Sequence, residues 1–161
     1  MKNIAICGLE CDKCGIYLID EDEEVAERVL QWFKSEGWRP GSMTVQEFMQ
    51  EGKSCFGCRT IDRKKPIGNL SQETYTFLQQ QVKAGKISQN DYNFFEHRPR
   101  HWNAGCEILV CCVDEKKLNS CHKCPEFVCE KLDEWAKSGE KCAQAVERLQ
   151  ELRDCAHDSA P

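Results

Sequence analysis

The stretch Cys7-Gly8-Leu9-Glu10-Cys11-Asp12-Lys13-Cys14 decides how this sequence is read, because it packs three thiols into eight residues. Cys11 and Cys14 have the C-x-x-C spacing with which two sulfurs grip one metal ion. The same spacing recurs at Cys55/Cys58 and Cys121/Cys124, and Cys106, Cys111 and Cys129 flank the last pair. In all, 13 of the 161 residues are cysteine, far above ordinary usage. The expectation is binding of a soft metal through thiolates.

Disulfides are the rival use of so many thiols. The N-terminus speaks against them: Met1-Lys2 is followed only by Ile4-Ala5-Ile6, too short an apolar run for a secretory signal. No stretch is long and apolar enough to span a membrane. An odd number of thiols and a reducing cytosol favour metal, so the expected setting is cytoplasmic. The net charge of −5 supplies no general attraction to nucleic acid or anionic membranes. Each four-thiolate zinc site adds a formal charge of about −2, for which Lys13, Lys53, Arg59 and Lys123 stand close by in sequence.

Around the thiols the pattern is helical. Acidic residues 20–24, the stripe Val25, Val29, Trp32 and Phe33, and the stop at Gly37 predict a helix over 20–36. Thr44-Val45-Gln46-Glu47 predicts a capping box opening a short helix with Val45, Phe48 and Met49 inward. Residues 59–70 read as a basic loop. Ser71 and Ser88 are expected to cap two helices joined at Gly85, the first with Tyr75, Leu78 and Val82 inward, the second with Tyr92 and Phe95. Residues 106–113 are undecided between strand and helix. Helices are expected over 126–137 and 140–156, the last with Cys142, Ala145, Val146, Leu149, Leu152 and Ala156 on one face. Cys11-Asp-Lys-Cys14 and Cys121-His-Lys-Cys124 echo one another, each ahead of a helix carrying a Trp. The fold class that follows is mainly α, a small single domain over 1–161 with little β, stapled by metal at cysteine knuckles.

Structural zinc takes four ligands, commonly as two C-x2-4-C hooks from separate stretches. Cys11/Cys14 with Cys55/Cys58 makes one such set, and Cys121/Cys124 with Cys106/Cys111 a second. Cys7 and Cys129 complete a site or stand beside one. Cys112, Cys142 and Cys155 read as structural. Iron–sulfur clusters use the same ligands and form the alternative. Cys7-x3-Cys11-x2-Cys14 also has the spacing of radical S-adenosylmethionine enzymes, but the alternating strands and helices of their barrel are absent. No nucleophile–base pair, phosphate-cradling loop or carboxylate dyad stands out, and no catalytic residue is assigned. Of the histidines, His97 and His101 lie in the basic-aromatic run 96–103, His122 inside the third C-x-x-C, and His157 in the tail. That run suggests a further alternative, an interaction module touching nucleic acid through Arg98, Arg100 and Trp102. The acidic charge disfavours it; a protein partner is left open.

The ordered cysteines also carry a resemblance. The run C-G-L-x-C-x-x-C-x-x-Y from Cys7 to Tyr17, a C-x-G-C hook in the middle of the sequence, and Cys106-Glu-Ile108, Cys111, Cys121, Cys124 and Cys129-Glu130-Lys131-Leu132 together resemble a cysteine-rich bacterial and archaeal family of unknown function with a zinc-binding motif. The resemblance covers 3–20, 50–60 and 103–135. It implies zinc and supplies no activity, since none is established for the family. Where the family carries a further Cys, Asn103 stands here, with His101 two residues away. The linker before Cys106 is longer here, so a helical hairpin within 59–103 reads as an insertion.

Overall fold

The computed structural model describes residues 3–60, 62–68 and 70–158, without the side chains of 157 and 158, so that of His157 lies outside the described groups. The fold is mainly α. Among the described residues strand pairing is limited to two isolated antiparallel bridges, Ile4 with Glu10 and Pro66 with Pro99. The molecule divides into two compact units: Lys13–Trp102, here the central unit, and Met1–Asp12 with Asn103–Pro161, the terminal unit.

The central unit holds α1 (Gly15–Leu18), α2 (Glu23–Ser35), α3 (Val45–Gln50), α4 (Gln72–Lys83) and α5 (Gln89–Glu96). Local chemistry sets their starts. The Asp22 side chain accepts from the Val25 amide, Ser71 from Thr74, and Ser88 and Thr44 each anchor a reciprocal capping box, with Asp91 and Glu47 respectively. Gly37 and Gly85, in the left-handed region, follow the caps of α2 and α4.

The faces so presented bury Ala26, Val29, Leu30, Phe33, Phe48, Leu78 and Phe95 in one core. Phe33 is its hub, with the rings of Trp38, Phe48, Phe95 and Trp102 all within 6 Å between centroids. Aromatic pairs of this kind contribute about 0.5–1.5 kcal/mol each beyond the area they bury. Trp32 departs from the expected stripe and is 41% exposed, although its ring still edges against Phe33 and Trp38.

In the terminal unit, α6 (Glu107–Leu109) runs on as a π-helical turn over Val110–Glu115, which settles the undecided stretch as helical. α7 (Glu130–Ala136) packs on α8 (Glu140–Asp158). α7 begins four residues later than periodicity predicts. Glu126 is drawn into an ion pair with Lys116 at 2.7 Å and the Arg153 guanidinium lies 5.4 Å over the Phe127 ring, so the helix opens only at its N-cap, Cys129. The buried face of α8 is narrower than predicted: Ala145 and Leu149 are fully buried, whereas Leu152 and Ala156 are exposed. The two echoed motifs share one local form, a 3-10 turn at Cys11–Lys13 and again at Cys121–Lys123, each with its first Cys buried.

Candidate functional site

In the central unit the thiol chemistry gathers at the turn Cys55-Phe56-Gly57-Cys58. Gly57 has φ +83, a conformation in which any β-carbon is strained. The turn aims the Gly57 N–H at the Cys55 sulfur, 3.4 Å away. A second backbone amide, that of Trp102, donates to the same sulfur. Burial pushes the Cys55 thiol up, these two donors pull it back down, and the nearby Cys14 sulfur raises it again.

Trp102 arrives there through a backbone ladder. The Ile67 amide donates to the Arg98 carbonyl at 2.8 Å, Arg100 to Lys65 at 3.0 Å and His101 to Arg63 at 3.1 Å, while Phe56 donates to Arg100 at 2.7 Å. The basic loop after the hook and the strand-like return after α5 therefore run side by side. Their pairing places the His101 Nε2 3.3 Å from the Cys58 Sγ. The long excursion through α4 and α5 ends by delivering an imidazole to the hook.

The terminal unit holds a second gathering. Cys111, Cys112, Cys121, Cys124 and Cys129 line one cavity of about 20 Å³, together with Lys116, Lys131, Phe127 and Leu132. Cys121 is held well above the usual thiol range, first by its hydrogen bond with Cys112, then by burial and by the nearby sulfurs of Cys7 and Cys129. Burial also raises Cys111, against the pull of Lys131 and Lys116. The Lys116 ammonium donates to the Cys124 sulfur at 3.4 Å, and the Arg153 guanidinium to the Cys124 carbonyl at 2.7 Å. Local cations here are thus Lys116 and Lys131. Of the cations expected to compensate thiolates, Lys53 instead pairs with Asp20 and Glu21 and lies over the Tyr17 ring.

Cys7 and Cys11 belong to the terminal unit and Cys14, Cys55 and Cys58 to the central one. Cys106 is the N-cap of α6 and is not among the cavity-lining residues. All thirteen cysteines are outside disulfides. Among the described residues, no group of three or more His, Cys, Asp or Glu side chains is arranged to hold a metal ion as it stands.

Two residues of these gatherings lie outside the ligand sets that spacing suggests. Cys112, which reads as structural from sequence, bonds to Cys121 inside the cavity; the adjacent pair Cys111-Cys112 is the only signal for it. His101 is legible only as a neighbour of Asn103. Cys155, which reads as structural from sequence, is exposed. The nucleic-acid reading of 96–103 loses one of its contacts, because Arg98 is 1% exposed and donates to the Ser54 hydroxyl at 2.8 Å. Burial lowers its pKa to about 10. No helix among the described residues is long and apolar enough to cross a membrane.

Neither the curated proteins nor the solved structures contain a match to this sequence. A family model does match, over residues 3–76, a span that takes in the opening cysteines and the Cys55–Cys58 hook and stops short of His101 and the terminal-unit cavity. The matching model is that of a family described as a protein of unknown function, DUF3795, and the similarity covers less than half of the sequence.

Proposed function

We infer that this is a metal-binding protein whose thiolates take up zinc to hold the fold together, in a compartment reducing enough to keep those thiols free of disulfides. The observation that carries the reading is the terminal-unit cavity: five cysteines face a space of about 20 Å³ flanked by two lysines. A space of roughly 10–15 Å³ already admits one water-sized body, so the cavity suits a single ion. The donor set fits zinc as well: sulfur ligands in excess, cations at hand to offset the formal charge, and no carboxylate lining the cavity. The cavity admits Cys111, Cys121, Cys124 and Cys129 of the expected ligands, and adds Cys112.

Bound zinc supplies cross-linking and no redox chemistry. The protein's own residues do the rest. Cys111 and Cys112 enter from the π-helical turn, Cys121 and Cys124 from the 3-10 turn, and Cys129 from the start of α7. One ion there would tie three local elements together. In small zinc-finger peptides such a bond set is worth about 10–16 kcal/mol of apparent free energy at neutral pH.

Anaerobic purification followed by elemental analysis and a visible spectrum tests this. Colourless protein containing zinc, with a melting temperature that collapses on chelation, is the expected result. Brown protein with iron and labile sulfide replaces zinc by the cluster, and a melting curve and circular dichroism untouched by chelation end the structural-metal reading.

A further inference from the structure

We propose that His101 is the fourth ligand of a zinc site made with Cys14, Cys55 and Cys58, a Cys3His centre contained within the central unit; the assignment rests on the metal-binding function inferred above. It replaces the expected four-sulfur set, in which Cys11 took the place His101 takes here.

The first argument is distance. Ligands on one tetrahedral zinc, with Zn–S near 2.3 Å and Zn–N near 2.0–2.1 Å, stand about 3.6 Å apart. The His101 Nε2 and Cys58 Sγ are 3.3 Å apart, so a small opening of that pair admits the ion between them. Coordination through Nε2 requires the neutral imidazole with its proton on Nδ1.

The second argument is that the backbone holds His101 where it is. Its amide is fixed to the Arg63 carbonyl and its predecessor's carbonyl to the Phe56 amide, inside the hook itself. Its successor, Trp102, donates to the Cys55 sulfur. The residues on either side of His101 are therefore bonded to the turn that bears Cys55 and Cys58. Amide donors on the Cys55 sulfur, one from within the hook and one from the His101 strand, fix that sulfur relative to both segments.

The third argument is the donor count. Cys14 is close enough to Cys55 to act on it electrostatically. Three sulfurs and one imidazole complete a tetrahedron with no ligand left over. Their formal charge around zinc is about −1, half that of four thiolates, which suits a hook whose neighbour Lys53 is already committed to Asp20 and Glu21. The group is not at bonding distance as it stands. Loading draws the side chains together, the exposed Cys14 above all, on a backbone already set.

A Cys beside a His also has the makings of a nucleophile and its base. That use leaves the two amides on Cys55 and the approach of Cys14 without a part to play.

The test uses the full-length protein, stripped of metal anaerobically and titrated first with Co²⁺ and then with Zn²⁺. Wild-type protein should show cobalt bands characteristic of mixed sulfur and nitrogen ligation. Cys58→Ser and His101→Ala should each lose the same equivalent of metal, or bind it with an affinity reduced by more than the ~10- to 100-fold typical of losing an outer-shell partner. His101→Cys, the control for folding, should recover the equivalent with its spectrum moved to that of a four-thiolate site. In the zinc-loaded wild type, Cys14, Cys55 and Cys58 should resist alkylation. If His101→Ala keeps the full metal complement, affinity and spectrum, the His101 assignment is wrong while metal binding stands. If wild-type protein takes up neither ion, the inferred function fails and takes the assignment with it. If zinc leaves Cys58 as reactive as in the stripped protein and His101→Ala slows that reaction, the pair is a nucleophile and base and the proposal is overturned.

Discussion

The Arg39 guanidinium and the Glu51 carboxylate form an ion pair at 2.9 Å, with side chains 0% and 4% exposed, inside the aromatic core of the central unit. Arg39 lies over the rings of Phe33, Phe48 and Phe95, each within 6 Å of its centroid, and donates to the Trp38 carbonyl. Glu51 in turn accepts from the Thr74 hydroxyl at 2.7 Å and the Ser71 amide at 3.4 Å. One carboxylate thus joins α3, which ends beside it, to the N-terminus of α4. Burial pulls the Arg39 pKa below its ordinary value, and Glu51 opposes that fall. Removing one partner leaves a charge buried and unmatched, which costs about 3–5 kcal/mol. Glu51→Gln is therefore expected to lower the unfolding free energy from urea melts by that amount, through a lower midpoint with an unchanged slope. A loss under about 0.5 kcal/mol, the range of surface substitutions, would mean the pair does not hold the core.

A second stability prediction concerns Gly8, in the terminal unit. Its φ of +91 strains any side chain, and a β-carbon there would stand 2.0 Å from the Ala145 carbonyl oxygen of α8. The Arg148 guanidinium also reaches the Gly8 carbonyl. The opening loop is thus held against the helix backbone with no room between them. Gly8→Ala combines backbone strain of roughly 1–3 kcal/mol with overpacking of roughly 1–3 kcal/mol, giving an expected loss of about 2–6 kcal/mol by denaturant melt. Ala at Gly41, which has open space around it and no positive φ, is the control and should change little.

These cases show which parts of the molecule are legible in its sequence. Thr44, Ser71 and Ser88 each announce a helix because a cap is a bond between near neighbours along the backbone, whereas the acidic run 20–24 hides which residue caps α2, and the helix opens at Glu23 rather than at residue 20. Phe33 and Leu78 announce the core because helical spacing is local too. Arg98 and His101 do not announce themselves. Both sit in a run that looks basic and exposed, and only the pairing of 63–67 with 98–101 buries one and turns the other toward Cys58. Cys112 is hidden for a related reason. Whether it or Cys106 shares a neighbourhood with Cys121 depends on a π-helical turn that periodicity does not mark.

Acid should act on α3 through its capping box. The Glu47 carboxylate accepts from the Thr44 amide at 2.7 Å and hydroxyl at 2.9 Å, while the Glu47 amide donates to the Thr44 hydroxyl at 3.3 Å. The Thr44 backbone bond first, then its hydroxyl, holds this carboxyl below the ordinary glutamate range. A carboxyl depressed on folding contributes stability that is complete above its unfolded pKa. That contribution disappears as pH falls through the folded value. Wild-type protein should therefore lose melting temperature in acid more steeply than Glu47→Gln, which keeps an acceptor without a titrating group. Parallel curves for the two proteins would remove Glu47 from the acid response.

Single Cys→Ser changes in the terminal unit separate the ligands the cavity selects from those the spacing suggests. Cys112 bonds to Cys121 within the cavity, whereas Cys106 caps α6 outside its lining. A serine hydroxyl is a hard, weakly ionised donor and a poor substitute for thiolate on zinc. Replacing Cys121 should thus remove zinc and unsettle α7 and the π-helical turn together, because the metal ties their starting points. Replacing Cys112 should weaken zinc retention against a chelator, and replacing Cys106 should leave it as it was. Cys155→Ser, on the exposed side of α8, is the reference for a cysteine away from the cavity. Zinc content measured after graded chelation orders the four variants. The order Cys121, Cys112, then Cys106 level with Cys155 supports the cavity as the binding site. Zinc loss on replacing Cys106 but not Cys112 would restore the two-hook arrangement of the sequence and move the ion away from the cavity's inner wall.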